Sequence, residues 1–276
     1  MDNIKSDTIF TVLVTISIFI IGQIVLIFYD RYKDKKSLSN LKKFFLISVK
    51  DILNPLAKEL GDIKDIITQI EEKKQKSYFL QDATELNFDF YNKTDNSTLF
   101  NAFTKYIKKS EENNTINAYT NLIKSITSFR NFKNDKLNNY NIFINTLNKY
   151  NDVFKENFKT MMYNFDDIQS KLITSNNTNQ DEFVKRVFDI IRLANDLAGE
   201  MYYQVEKVID PIISTFKAFG NSPYAKFIIR NALTCKSAFT NICFWKDVNI
   251  KKYKRQVELL EKLNTVISQS INYLEK

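Results

Sequence analysis

The chain has 276 residues, with 40 Lys plus Arg against 32 Asp plus Glu (net charge +8), no His, 2 Cys, 4 Gly and 3 Pro, and 44% of it is hydrophobic. Without histidine there is no Ser-His-Asp or Cys-His nucleophile, no imidazole acid or base, and no zinc or di-iron site of the His-containing kinds. The glycines, Gly22, Gly61, Gly199 and Gly220, stand alone, so no G-x-x-x-x-G-K or G-x-G-x-x-G loop exists, and nucleotide-driven and dehydrogenase chemistry fall with them.

A chain of this length makes one large or two small domains and buries roughly 70% of its unfolded surface without staples. Cys235 and Cys243 lie eight positions apart, too far to bridge along a helix, and read as small buried hydrophobes. Asn, Lys, Ile, Phe and Tyr make up about half the chain, a bias typical of A/T-rich genomes. Part of the Lys excess follows from that bias, as do the N-x-S/T triplets at Asn92, Asn96, Asn113 and Asn176.

From Thr8 to Tyr29 the sequence TIFTVLVTISIFIIGQIVLIFY carries no charge. As a helix it spans about 33 Å, the hydrocarbon thickness of a bilayer. The leader is not basic and no small-x-small site follows, so an uncleaved membrane span is predicted rather than a signal peptide. Lys5 precedes it, offset by Asp2 and Asp7, whereas Arg31, Lys33, Lys35, Lys36, Lys42 and Lys43 follow. This asymmetry predicts an N-terminus outside and a cytoplasmic body, with a bacterial inner membrane as the expected setting and Tyr29 and Tyr32 at the inner interface. Thr8, Thr11, Thr15 and Gly22 share a face that suits either a second helix or lipid.

Beyond the span, Leu46, Val49, Leu53, Leu56, Leu60, Ile63, Ile67 and Ile70 recur in steps of three and four. The stripe fits either the oligomerisation seam of a parallel coiled-coil stalk or a helix face buried in its own domain. Asn54-Pro55 predicts a kink or a fresh helix start, with Asn54 as N-cap. Leu86, Phe88 and Phe90 alternate like a short strand. Leu99, Phe103 and Tyr106, then Ile116, Tyr119, Ile123 and Ile126, resume helical spacing. A long helix over Tyr140–Leu172 and a second over Val184–Ile212, capped by Asp181, predict an antiparallel hairpin about 50 Å long. Pro211 is expected to kink its second arm. Gly220 with Ser222-Pro223 ends that helix, and the last helices are predicted at about 223–245 and 249–274.

The expected fold is therefore all-α, a single transmembrane helix followed by an elongated helical bundle with a long antiparallel hairpin. Its organisation is an anchor with a basic juxtamembrane segment (1–36), stalk helices (37–77) and a cytoplasmic bundle (78–276). Adjacent carboxylates such as Glu71-Glu72, Glu111-Glu112, Asp166-Asp167 and Asp181-Glu182 point about 100° apart on a helix and do not converge. Asn195-Asp196 with Gly199 opens like the magnesium-diphosphate motif of helical terpene synthases, but Tyr203 stands where the closing acid belongs. No catalytic residue, metal site or cofactor is expected.

The segment FWKDVNIKKYKRQ places Lys251, Lys252, Lys254 and Arg255 near the predicted N-terminus of the last helix, where cations oppose the helix dipole. Lipid phosphates would relieve that conflict, and so would a solvated helix start; Phe244, Trp245 and Tyr253 admit base stacking, although nucleic acid is disfavoured. Together with Arg31, Lys33, Lys35 and Lys36 these form the expected membrane-surface residues. The function expected is a single-pass, membrane-anchored helical interaction or scaffold protein, not an enzyme. Its partners would be membrane lipids and a second copy or another membrane or cytoplasmic protein. The alternative is a membrane-anchored effector or sensor of a bacterial stress or phage-defence system acting through oligomerisation.

Overall fold

The structure, a computed structural model, describes residues 2–72, 78–80, 94–174, 181–194 and 200–276. Among these no strand occurs, and the all-α expectation holds. The elements in order are α1 (Asp2–Glu71), α2 (Asn96–Thr104), α3 (Glu112–Thr174), α4 (Glu182–Leu193), α5 (Met201–Gln204), a π-helical turn (Val205–Ile209), α6 (Asp210–Phe219) and α7 (Ala225–Leu274). The expected strand at 86–90 lies outside the described residues.

Three helices, α1, α3 and α7, are longer than their sequence signals, and α3 joins the segments expected at Ile116–Ile126 and Tyr140–Leu172. Pro55 sits inside α1 rather than at a new start. Its missing N–H frees the carbonyl of Asp51, and both Asp51 and Asn54 are exposed, so solvent serves the backbone there. Likewise α7 runs unbroken through 245–249, where two helices were expected. Asn249 is buried and turns its Nδ2 onto the Trp245 carbonyl at 2.9 Å, which places a poor helix former inside the helix with its side chain satisfied.

The chain divides into two compact units. The first takes residues 1–57, 84–129 and 262–276, and the second takes 58–83 and 130–261. In the first, Phe45 is buried edge-on against Phe103 of α2 at 5.4 Å, and Tyr119 of α3 closes the cluster at 5.1 Å from Phe103. Leu122, Ile126, Ile267 and Ile271 complete that core. Asp95 caps α2, accepting from the Thr98 backbone N–H at 2.7 Å and its hydroxyl at 2.8 Å. Lys50 pairs with Glu275.

In the second unit α3 and α7 form the long antiparallel pair. Asn164 Nδ2 donates to the Phe227 carbonyl, Cys235 Sγ to the Phe154 carbonyl, and Lys252 Nζ to Asn139 Oδ1, so falling numbers on α3 meet rising numbers on α7. Lys64–Glu261 and Lys254–Glu71, each at 2.9 Å, set α1 antiparallel to α7 in the same way. The α4 segment folds back on α3, stacking Phe188 on Phe165 at 6.4 Å, and Asp181 caps it by accepting from the N–H groups of Phe183 and Val184, as expected.

The expected second arm is not one helix. It stops at Leu193, Ala194 turns extended (ψ 96°), and the helix resumes at Met201. The break is invisible to periodicity because the apolar spacing runs on across it. Pro211 sits in the first turn of α6, and the disruption it causes takes the form of the π turn before it, where the Asp210 N–H reaches the Val205 carbonyl five residues back.

Candidate functional site

Side chains from Phe10 to Lys33 are all exposed, and none of the apolar window of α1 is buried within the fold. This helix is long and apolar enough to cross a membrane. A run of bare Ile, Val, Leu and Phe of this length would cost the folded chain its solubility in water unless another apolar medium covers it.

Just past this apolar stretch, Arg31, Lys33, Lys35 and Lys36 are all exposed on α1. The acid among them, Asp34, faces the first unit instead. Its carboxylate takes Lys105 Nζ at 2.8 Å and the Tyr106 hydroxyl, and these bonds hold it below the usual carboxylate value while raising Lys105. The turn after α2 thus answers the negative charge and leaves the collar's four cations outward. Sequence reading missed this, because Asp34 and Lys105 are 71 residues apart.

The stripe from Leu46 to Ile70 points inward. Leu46, Val49, Leu56, Ile63, Ile67 and Ile70 are buried within the chain, and Leu53 and Leu60 are half-buried. Of the two readings open from sequence, the stripe serves as a helix face packed in the protein's own core.

The basic segment at 251–255 lies mid-helix, so the expected conflict with a helix N-terminus does not exist. Lys252 is held by Asn139 and Lys254 by Glu71, and Tyr253 is buried and offers no face to a base. Lys251 and Arg255 are exposed as well. At 100° per residue they share a 120° arc of α7 with Phe227, Leu233, Phe244, Val248 and Leu259, all large exposed hydrophobics, and with the exposed Lys226 and Arg230. No carboxylate of α7 up to Glu261 falls in that arc.

The second unit also holds a cavity of about 470 Å³, lined on α3 by Ile144, Leu147, Asn148, Asn151 and Lys155, and opposite by Tyr78, Met201, Tyr202, Phe239, Ile242 and Lys246. Lys246 is buried, its Nζ 5.5 Å from the Tyr202 ring centroid and 5.7 Å from that of Tyr78. Tyr202 stands perpendicular to Phe239 at 4.8 Å and has its hydroxyl 3.8 Å from Cys243 Sγ. Burial pushes its phenol up, and the Cys243 contact adds to the shift. Tyr140 donates its hydroxyl to the Tyr78 carbonyl and fixes that ring's backbone. No local motif marked these residues, since Tyr78 and Lys246 are far apart in sequence.

Elsewhere in this unit Glu59 is fully buried against Lys136, with Lys133 at 3.9 Å. Asn195, Asp196 and Gly199 lie outside the described residues. Among the described residues no group of three or more Cys, Asp or Glu is placed to hold a metal. No known protein family, curated protein or solved structure matches this chain.

Proposed function

We propose that the protein is a single-pass, membrane-anchored helical interaction protein, with Thr8–Tyr29 as the span, the N-terminus outside and the body in the cytoplasm. The observation that carries this reading is the contrast along α1: a charge-free stretch with no burial in the fold, followed by a collar of four exposed cations in which Asp34 is answered from within the first unit. Anionic lipid head groups complement that collar, at about 1 kcal/mol per basic residue near the surface. The apolar and basic arc of α7, free of carboxylates, is the surface that supports a protein partner of acidic character. Anchoring raises the effective concentration of that surface near anything held at the same membrane, which is how a scaffold works without an active site.

The test is extraction and topology. Full-length protein should stay in the membrane pellet through an alkaline carbonate wash, and a C-terminal tag should be protected from protease in intact spheroplasts. Ile18→Lys with Ile21→Lys adds about 5–7 kcal/mol to insertion and should release the protein. Wild-type protein washed off by carbonate would refute the span, and a tag cleaved in intact spheroplasts would refute the orientation.

A further inference from the structure

A lysine that is mostly buried, over ring faces and in a cavity wall, has capacity left for an anion. Lys246 is 6% exposed and lines the cavity, and its Nζ lies over the rings of Tyr78 and Tyr202. Ring faces return part of the lost hydration through their quadrupoles, and an anion would return much more. Lys155, exposed at the α3 wall, is a second cation, and among the described residues no carboxylate lines the cavity.

The remaining lining has its own chemistry. Asn148 and Asn151 lie one turn apart on α3 and bring amides that both donate and accept, as the edge of a heterocycle requires. Tyr202 and Phe239 bring aromatic surface, and the neutral Tyr202 adds a hydroxyl. The volume falls within the roughly 300–1,000 Å³ of small-molecule sites. Inorganic phosphate would leave the rings and amides without a role. A di- or triphosphate calls for a glycine loop or carboxylate-held metal that the lining does not supply.

We propose that this cavity binds a nucleoside monophosphate, its phosphate at Lys246 with Lys155 as second cation, and its base among Tyr202, Phe239 and the two asparagines. The site lies wholly within the second unit and does not depend on the membrane anchor.

Equilibrium dialysis of the full-length protein in detergent micelles against AMP, GMP, CMP and UMP tests this. At least one should bind with Kd below about 1 mM, weaken about tenfold in Lys246→Met and about threefold in Lys155→Gln, and resist displacement by equimolar inorganic phosphate. Three results would overturn the proposal: no binding of any of the four to wild type, equal binding by Lys246→Met, or displacement by phosphate as readily as by the nucleotide. Should Lys246→Met fail to fold, acetylation of Lys246 in wild type, read by mass spectrometry, replaces it. The bound nucleotide should slow that modification at least threefold, and an unchanged rate overturns the proposal.

Discussion

The Glu59–Lys136 pair invites the sharpest energetic test, because both partners are out of water. Glu59 is fully buried and Lys136 is 3% exposed. Taking one partner from a buried ion pair leaves an uncompensated charge and costs about 3–5 kcal/mol, whereas replacing both with apolar groups of similar volume is often near neutral. Lys133, 3.9 Å from Glu59 and 17% exposed, remains as a partial substitute in Lys136→Met, which puts that change at the low end, about 3 kcal/mol. Glu59→Leu takes the carboxylate from the buried Lys136 and should cost about 4 kcal/mol, with Lys133 able to extend toward solvent. The double variant Glu59→Leu/Lys136→Met should lose only about 1 kcal/mol, a coupling of about 6 kcal/mol. Urea unfolding of the full chain in micelles, followed by circular dichroism at pH 7, gives all four corners of the cycle. A coupling under about 1 kcal/mol would refute the reasoning, since it would mean that each charge is solvated or paired independently of the other.

Two tyrosines should part company. Tyr253 is buried with no partner for its hydroxyl among the described residues, so Tyr253→Phe should change stability by less than about 1 kcal/mol, while Tyr140→Phe loses the bond to the Tyr78 carbonyl and should cost about 0.5–1.5 kcal/mol in the same urea assay. Burial pushes the Tyr253 phenol from 10.0 to about 12, so its contribution is whole below pH 10 and is lost as pH rises through about 12; the Phe variant should lose less stability than wild type over that window. Asp34 has the opposite sign. Its carboxyl is depressed by Lys105 and Tyr106, so its contribution is whole above the ordinary value of 3.8 and disappears as pH falls below that, and Asp34→Asn should remove this acid sensitivity from amide exchange at 105–107. Cys235 is buried and its thiol is pushed up to about 12, whereas Cys243 is half-buried, so a maleimide should label Cys243 first in the native protein and both equally in urea.

Much of the architecture is already present in the order of residues. The long apolar stretch of α1 is local information, a run of contiguous side chains whose shared property is the absence of charge, and it needs no partner to be recognised. Helix type follows from periodicity, as at Phe154, Met161, Phe165 and Ile168, and helix starts follow from short-range caps such as Asp181. Where helices end is a different matter. Asn54-Pro55 and Asp247–Asn249 look like interruptions because local propensity disfavours helix there, yet packing of the flanking turns carries α1 and α7 through both. Ala194 shows the converse, with a spacing that promises continuity and a backbone that leaves the helix.

Which face meets which is decided only in three dimensions. A period of three and four shows that Leu46 to Ile70 forms an apolar stripe that suits a second copy or the chain's own core, and only the fold shows that Leu46, Val49, Leu56, Ile63, Ile67 and Ile70 are buried within the chain. The same holds for the cations. Sequence lists Lys251, Lys252, Lys254 and Arg255 as one cluster, and the fold brings Asn139 to Lys252 and Glu71 to Lys254. The cavity at Lys246 is the extreme case. Its walls come from Tyr78, from α3, from α5 and from α7, and a site assembled from such distant segments leaves no spacing to read, because burial and the absence of an opposing charge are properties of the fold and not of any stretch of chain.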